Sequence, residues 1–163
     1  CKKSAGEIAE RQIFSESEMP VPSITNIRID RAGDTTIIMS ELSNQAGEEW
    51  VLSSPFRVGL DSYDVKRYIL KMYTLQYDEF ADYERNPELL REYQLVSPAA
   101  SIEIFADNGK QKKLNISALE LSNLLYVYSE SMPGIGRIHT GDLDDIIEPD
   151  IESFIVTNEA ESE

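Results

Sequence analysis

Apolar and polar positions change their period several times along the chain, and each change marks an element. Ile24, Ile27 and Ile29 alternate loosely with polar neighbours as far as Asp30. Arg31-Ala32-Gly33-Asp34 supplies turn residues, and a β-branched run over 35–40 follows. Runs of this kind bounded by Gly, Asn and Asp predict strands joined by tight turns. Asn44-Gln45-Ala46-Gly47 predicts a second turn, and residues 49–53 a third strand that sends Trp50 and Leu52 to the same side.

The period then lengthens. Over 62–77, Val65, Ile69, Met72 and Gln76 fall on one line, widened by Tyr68, Leu70, Tyr73 and Leu75, while Lys66, Arg67 and Lys71 lie elsewhere. That stripe predicts an amphipathic helix covering a sheet. Asp61 is its expected N-cap, because a carboxylate there accepts from the first free amides. Asn86-Pro87 predicts a second, short helix over 86–93, which Pro98 prevents from continuing.

Alternation returns at residues 101–105, and Asp107-Asn108-Gly109-Lys110 is the clearest hairpin turn in the chain, with residues 113–116 as the returning strand. Residues 124–129 predict a further strand, broken by Pro133-Gly134-Ile135-Gly136, and 137–140 a last one. Asp142 to Ile147 predicts a short acidic helix. The expected fold is therefore α+β: an antiparallel β-meander, a covering helix, a second β-hairpin group and a short closing helix.

The ends read differently. From Lys2 to Ser23 the residues are mostly polar, Ile8, Ile13 and Phe14 are sparse, and Met19-Pro20-Val21-Pro22 reads as an extended stop. Residues 1–23 are thus expected to be a flexible tether, 24–154 a single domain, and 155–163 a disordered acidic tail. The length of 163 residues suits one such domain.

Composition narrows the function. Thirty Asp and Glu against fifteen Lys and Arg give a net charge of -15. Phosphate recognition needs clustered cations, so nucleic acid is disfavoured, as is electrostatic docking on anionic lipid. No apolar run reaches the roughly 20 residues that span a bilayer. The single cysteine is Cys1, and the run Cys1-Lys2-Lys3-Ser4 resembles the start of a mature bacterial lipoprotein. In that class the cysteine sulfur carries a diacylglycerol, so Cys1 is the expected lipid-attachment residue and the expected location is extracytoplasmic and membrane-anchored.

The order of motifs carries a second resemblance. Trp50-x-Leu52-x-x-Pro55, a helix beginning near Asp61, Tyr93-x-Leu95-x-x-Pro98, Ile102-x-Ile104 and Asp107-x-Gly109-Lys110 occur in that sequence, followed by Tyr126-Val127-Tyr128-Ser129 and a helix near Leu143. Over residues 24–154 this is similar to the bacterial family called domain of unknown function 4340. Gln94 stands where that family has glycine. The resemblance implies an envelope protein, often membrane-attached, in some members beside transporter or gliding-motility components. It supplies no catalytic residue.

Candidate chemistry is sparse. The one histidine, His139, has no internal cysteine or second histidine to join, which disfavours zinc, haem and Ser-His-Asp sites, and no phosphate-loop or dinucleotide glycine pattern occurs. No cofactor and no metal are expected. Glu48 and Glu49 flank Trp50, and Asp142, Asp144, Asp145, Glu148, Asp150 and Glu152 cluster late, but without the glycine of a calcium loop. Asn115-Ile116-Ser117 matches a glycosylation acceptor within an expected strand and is set aside. Tyrosine is frequent, with eight residues. Tyr63, Tyr73, Tyr77, Tyr126 and Tyr128 are candidates for a recognition surface, against a bland alternative in which they edge the core.

The leading expectation is a non-enzymatic, lipid-anchored binding or scaffold module that meets another envelope protein, accessory to a transporter or other membrane complex. A carboxylate-based glycoside-type hydrolase and a small substrate-binding lipoprotein of a transporter are the alternatives, each requiring a cleft.

Overall fold

A computed structural model describes residues 10–43 and 47–156. Among them, nine strands make one antiparallel sheet in the order β4-β3-β2-β1-β6-β7-β8-β9-β5. The first meander comprises β1 (Ile24–Arg31), β2 (Asp34–Ser43), β3 (Gly47–Ser54) and β4 (Val58–Leu60). The second comprises β6 (Ala100–Ala106), β7 (Gln111–Leu121), β8 (Leu124–Tyr128) and β9 (Ile135–His139). The two are not separate groups. β1 pairs directly with β6, Ile27 opposite Ile104 and Ile29 opposite Ile102.

Between the meanders, α1 (Ser62–Met72) crosses from the β4 edge, and β5 (Glu79–Asp82) lies at the far edge beside β9. α2 (Pro87–Glu92) then leads back to β6, and α3 (Thr140–Ile147) follows β9. Val65, Tyr68, Ile69 and Met72 of α1 and Leu143 and Ile146 of α3 pack with Ile27, Ile29, Trp50, Leu52, Ile102, Ile104 and Leu114 into one core. Period-2 strands and a period-3.6 helix meet there, each burying one side. A second, smaller cluster of Leu95, Tyr126 and Ile135 lies on the other face, packed by Leu89 and Leu90 of α2.

The expected elements are present, but β9 begins at Ile135, inside the run 133–136 expected to break the chain, and three further differences stand out. α1 is capped by Asp61, whose carboxylate accepts from Tyr63 and Asp64 N–H, but it stops at Met72 rather than Tyr77. Thr74 N–H bonds to Lys71 O and Leu75 N–H to Met72 O, closing a tight turn. Beyond it Tyr73, Leu75 and Tyr77 are buried in alternation, a strand-like spacing that the helical stripe concealed. The second difference is β4 and β5, two short edge strands of three and four residues that carry too few positions to show a period.

The third concerns the expected tether. Its described part, residues 10–23, is packed against the body: Ile13 and Phe14 are fully buried and Met19 nearly so. Phe14 stacks on Tyr73 with ring centroids 6.1 Å apart. Lys112, itself buried, donates from Nζ to Ile13 O at 2.9 Å and to a Glu18 carboxylate oxygen at 3.0 Å. Gln12 pairs with Gln76 as an isolated antiparallel bridge, and Arg11 donates to Asp78 O. Three apolar residues in a polar stretch are enough when the sheet supplies the other side. At the opposite end, Leu60 and Ile155 form a bridge and Val156 N–H bonds to Gly59 O, so packed structure runs two residues past Phe154. Residues 1–9, 44–46 and 157–163 lie outside the described residues, which leaves Cys1, the turn at 44–46 and the acidic tail beyond Val156 there.

Candidate functional site

The five candidate tyrosines do not share a surface. Tyr63 is exposed on α1 with the Arg67 guanidinium over its ring, and Tyr128 is half-buried at the end of β8. Tyr73 and Tyr77 belong to the main core and Tyr126 to the smaller one. With Tyr68, the two core tyrosines tie distant segments to the body through their hydroxyls. Tyr68 donates to Ile146 O at the end of α3, Tyr73 to Met19 O at 2.5 Å, and Tyr77 to Gly134 O at 3.0 Å. Burial pushes all three phenols up, Tyr73 to about 12, where Glu16 and Glu18 add to the effect. Their abundance is structural: each supplies apolar bulk and one donor for a buried carbonyl. Tyr126 stacks on Tyr93 at 4.6 Å, and Arg137 covers its ring and donates to Glu79 at 2.6 Å.

The opposite side of β6 and β7 is arranged differently. Residues that alternate with the core positions Ile102, Ile104, Leu114 and Ile116 point to the other side there, where the smaller cluster with Leu89 and Leu90 of α2 reaches Leu119 and Tyr128. Register places Arg28, Glu103 and Lys113 side by side across three strands, and Ser101, Asn115 and Tyr128 in the next row. The turn that fixes this register has Gly109 at φ 85, with Asn108 Oδ1 accepting from Lys110 N–H.

A groove of about 620 Å³ runs over this surface, lined by Glu103, Gln111, Lys112, Lys113, Asn115, Ser129, Glu130 and Ser131. Its rim, the segment after β8, is held in shape from outside. Arg85 donates to Glu130 O and, at 2.9 Å, to Met132 O, Met132 N–H bonds back to Ser129 O, and the Ser129 and Ser131 hydroxyls lie 3.2 Å apart. Within the wall, Asn115 Oδ1 is buried and has no hydrogen-bond partner. Buried amide oxygens are nearly always paired, and this one is closed to the groove as well as to protein donors.

The charges nearby are largely answered by one another. Arg28 Nε bonds to Asp30 at 2.8 Å, which holds the Asp30 carboxyl below its usual range, with Thr35 and Lys113 contributing to the same end. Glu103 has Arg28 on one side and Lys113 on the other.

Sequence reasoning missed this site. The signal was present in the polar residues alternating along both arms of the 107–110 hairpin, but alternation of that kind is the ordinary mark of a solvated sheet face. Of the acidic positions singled out instead, Glu49 adjoins the core residue Trp50, Asp142 and Asp144 are exposed on α3, and Asp145, Glu148 and Asp150 line a separate pocket with Asp64, Arg67 and Lys71, where Lys71 pairs with Asp145 at 2.9 Å. Among the described residues no group of His, Cys, Asp or Glu side chains is placed to hold a metal ion, and no helix is long and apolar enough to cross a membrane.

The fold is thus that of an α+β domain dominated by one antiparallel sheet, with a polar groove on its open face. No family model, curated protein or solved structure matches the chain.

Proposed function

We propose that this chain is a binding module of the bacterial cell envelope, that it recognises its partner across the groove on β6 and β7, and that it performs no chemistry of its own. One observation carries the reading: the groove is lined by polar side chains alone, and Arg85 holds its rim through the carbonyls of Glu130 and Met132. The envelope setting, and a place beside a transporter or another membrane complex, rest on the order of motifs from Trp50 to Leu143. Membrane attachment through Cys1 is a separate proposal, and the intact mass of protein extracted from membranes tests it by showing or lacking an added diacylglycerol.

The recognition surface is tested by amide spectra of the isotope-labelled full chain mixed with an envelope extract of the bacterium that encodes it. Amides of Glu103, Lys113, Asn115 and Ser131 should shift, and Ser131→Trp, a change at an exposed rim position, should abolish the shifts. Groove amides that stay still in the whole extract would end the reading.

A second reading has one observation in its favour: two carboxylates, Glu103 and Glu130, line the same groove, as a glycoside-type hydrolase requires. Release of reducing ends from oligosaccharides, lost in Glu130→Gln, would replace binding by hydrolysis.

A further inference from the structure

We propose that Asn108, at the tip of the β6–β7 hairpin, is a site of spontaneous covalent modification: the backbone nitrogen of Gly109 displaces its side-chain amide. Nothing in this depends on what the groove recognises.

The chain has seven asparagines, and only Asn108 is followed by glycine. Asn86 precedes Pro87, which has no N–H to give up, and Asn26 and Asn115 precede isoleucines, whose branched side chains crowd the backbone nitrogen. Gly109 has no Cβ, and one built there would meet nothing within 4 Å, so the space around its nitrogen is open. Both residues are exposed, and water reaches the amide freely.

The turn also prepares the electrophile. Asn108 Oδ1 accepts from Lys110 N–H at 2.9 Å, which draws electron density from Cγ and folds the side chain back on the following backbone. Gly109 N loses its proton to hydroxide and bonds to Asn108 Cγ. The negative charge passes to Oδ1, where the Lys110 N–H already points. The Cγ–Nδ2 bond then breaks, and Nδ2 takes a proton from water and departs as ammonia. A five-membered succinimide remains. Water opens it at either carbonyl: cleavage between Cγ and Gly109 N gives aspartate, and cleavage between Asn108 C and Gly109 N gives isoaspartate. One water enters and one ammonia leaves, with no oxidant or reductant. A single contact opposes the reaction. Gly109 N–H bonds to Ala106 O at 3.1 Å and must let go, which slows the folded chain about five-fold.

Isoaspartate routes the main chain through Cβ, one atom longer than before. The tight turn with Gly109 at φ 85 then no longer fits, and the pairing it starts, Phe105 opposite Gln111 and Glu103 opposite Lys113, is disturbed.

The experiment holds the folded full chain in warm, mildly alkaline buffer and follows its intact mass, with fragment sequencing by mass spectrometry to place any change. A gain of one mass unit is expected, confined to the fragment that contains Asn108, quicker as the pH rises, and no more than about five-fold slower than in the same chain unfolded in urea. Both aspartyl and isoaspartyl forms should appear, and the isoaspartyl form should unfold at lower urea concentration than fresh protein. Asn108→Gln, whose extra methylene would require a six-membered ring, should keep its mass, and the fragment map locates the site even if that variant does not fold. A folded chain that keeps its mass while the unfolded chain converts overturns the proposal, because the turn then protects Asn108. Gain at the other asparagines at a similar rate overturns it as well.

Discussion

The ring of Tyr77 lies flat against the backbone of Gly136, so close that a Cβ on that glycine would sit 2.2 Å from the ring Cγ. Tyr77 is fully buried, and its hydroxyl reaches on to Gly134 O. β9 therefore needs glycine at 136 to let the segment before β5 pass over it. Gly136→Ala is expected to lower stability by about 3 kcal/mol, because neither a buried ring nor a sheet backbone can give way cheaply. Tyr77→Phe should cost about 1–2 kcal/mol, for the donor alone. Urea unfolding of both variants checks the order, and a neutral Gly136→Ala would contradict this packing.

Alkaline titration should show the core tyrosines ionising late. Tyr73 rises from an ordinary 10.0 to about 12 because burial disfavours its phenolate. The neutral hydroxyl is the form the fold holds. The stability it contributes is complete below pH 10 and is lost as the pH climbs through 12. Unfolding followed by circular dichroism across that window, with Tyr73→Phe beside the wild type, should show the variant losing less stability. Parallel curves would remove Tyr73 from the explanation.

The segment before β1 should behave as core. Phe14→Ala is expected to cost about 3–5 kcal/mol, the usual penalty for emptying a buried phenylalanine site. Lys112→Met keeps the volume but leaves Ile13 O without its donor, for about 1–2 kcal/mol. A flexible tether would tolerate both changes, so thermal melts of the two variants decide between the descriptions.

Gln94 sits just past the end of α2 at φ 58, with Leu95 N–H bonding back to Leu90 O at 2.7 Å. A side chain in that left-handed conformation is strained by its Cβ, which is why helices so often end on glycine. Gln94→Gly should stabilise the chain by about 0.5–1 kcal/mol, after allowing for the greater freedom of glycine when unfolded. Chemical denaturation would show the gain as a higher midpoint with an unchanged slope.

These positions also show what the sequence makes visible. Elements whose signal is local were readable: the Asp61 and Asn86 caps, the Asn108-Gly109 turn, and Trp50 with Leu52 on one side of β3. What depends on distant partners was not. Phe14 reads as an isolated apolar residue until Tyr73 and β7 are brought to it, and Tyr73 and Tyr77 read as helix or surface until the chain turns at Thr74. The groove is the extreme case, since Glu103, Asn115 and Ser131 become neighbours only through strand register and a loop held by Arg85. Gln94 illustrates the reverse: the residue is plain in the chain, but the left-handed backbone conformation that makes it costly is not.

The passage from one edge of the sheet to the other has a consequence for its shape. Between Leu60 of β4 and Glu79 of β5 the chain has only Asp61, the 11 residues of α1, and residues 73–78. Taken as one helix with extended ends, that connector reaches about 45 Å. Nine strands laid flat would separate the outermost two by about 38 Å, and the connector must also climb over the side chains on which it rests. The span leaves little slack. The register shifts in β1–β6, β2–β3, β5–β9 and β7–β8 are places where strands can bend and shorten it. The same stretch of chain thus straps one edge of the sheet to the other, and its length limits how far the two edges can part.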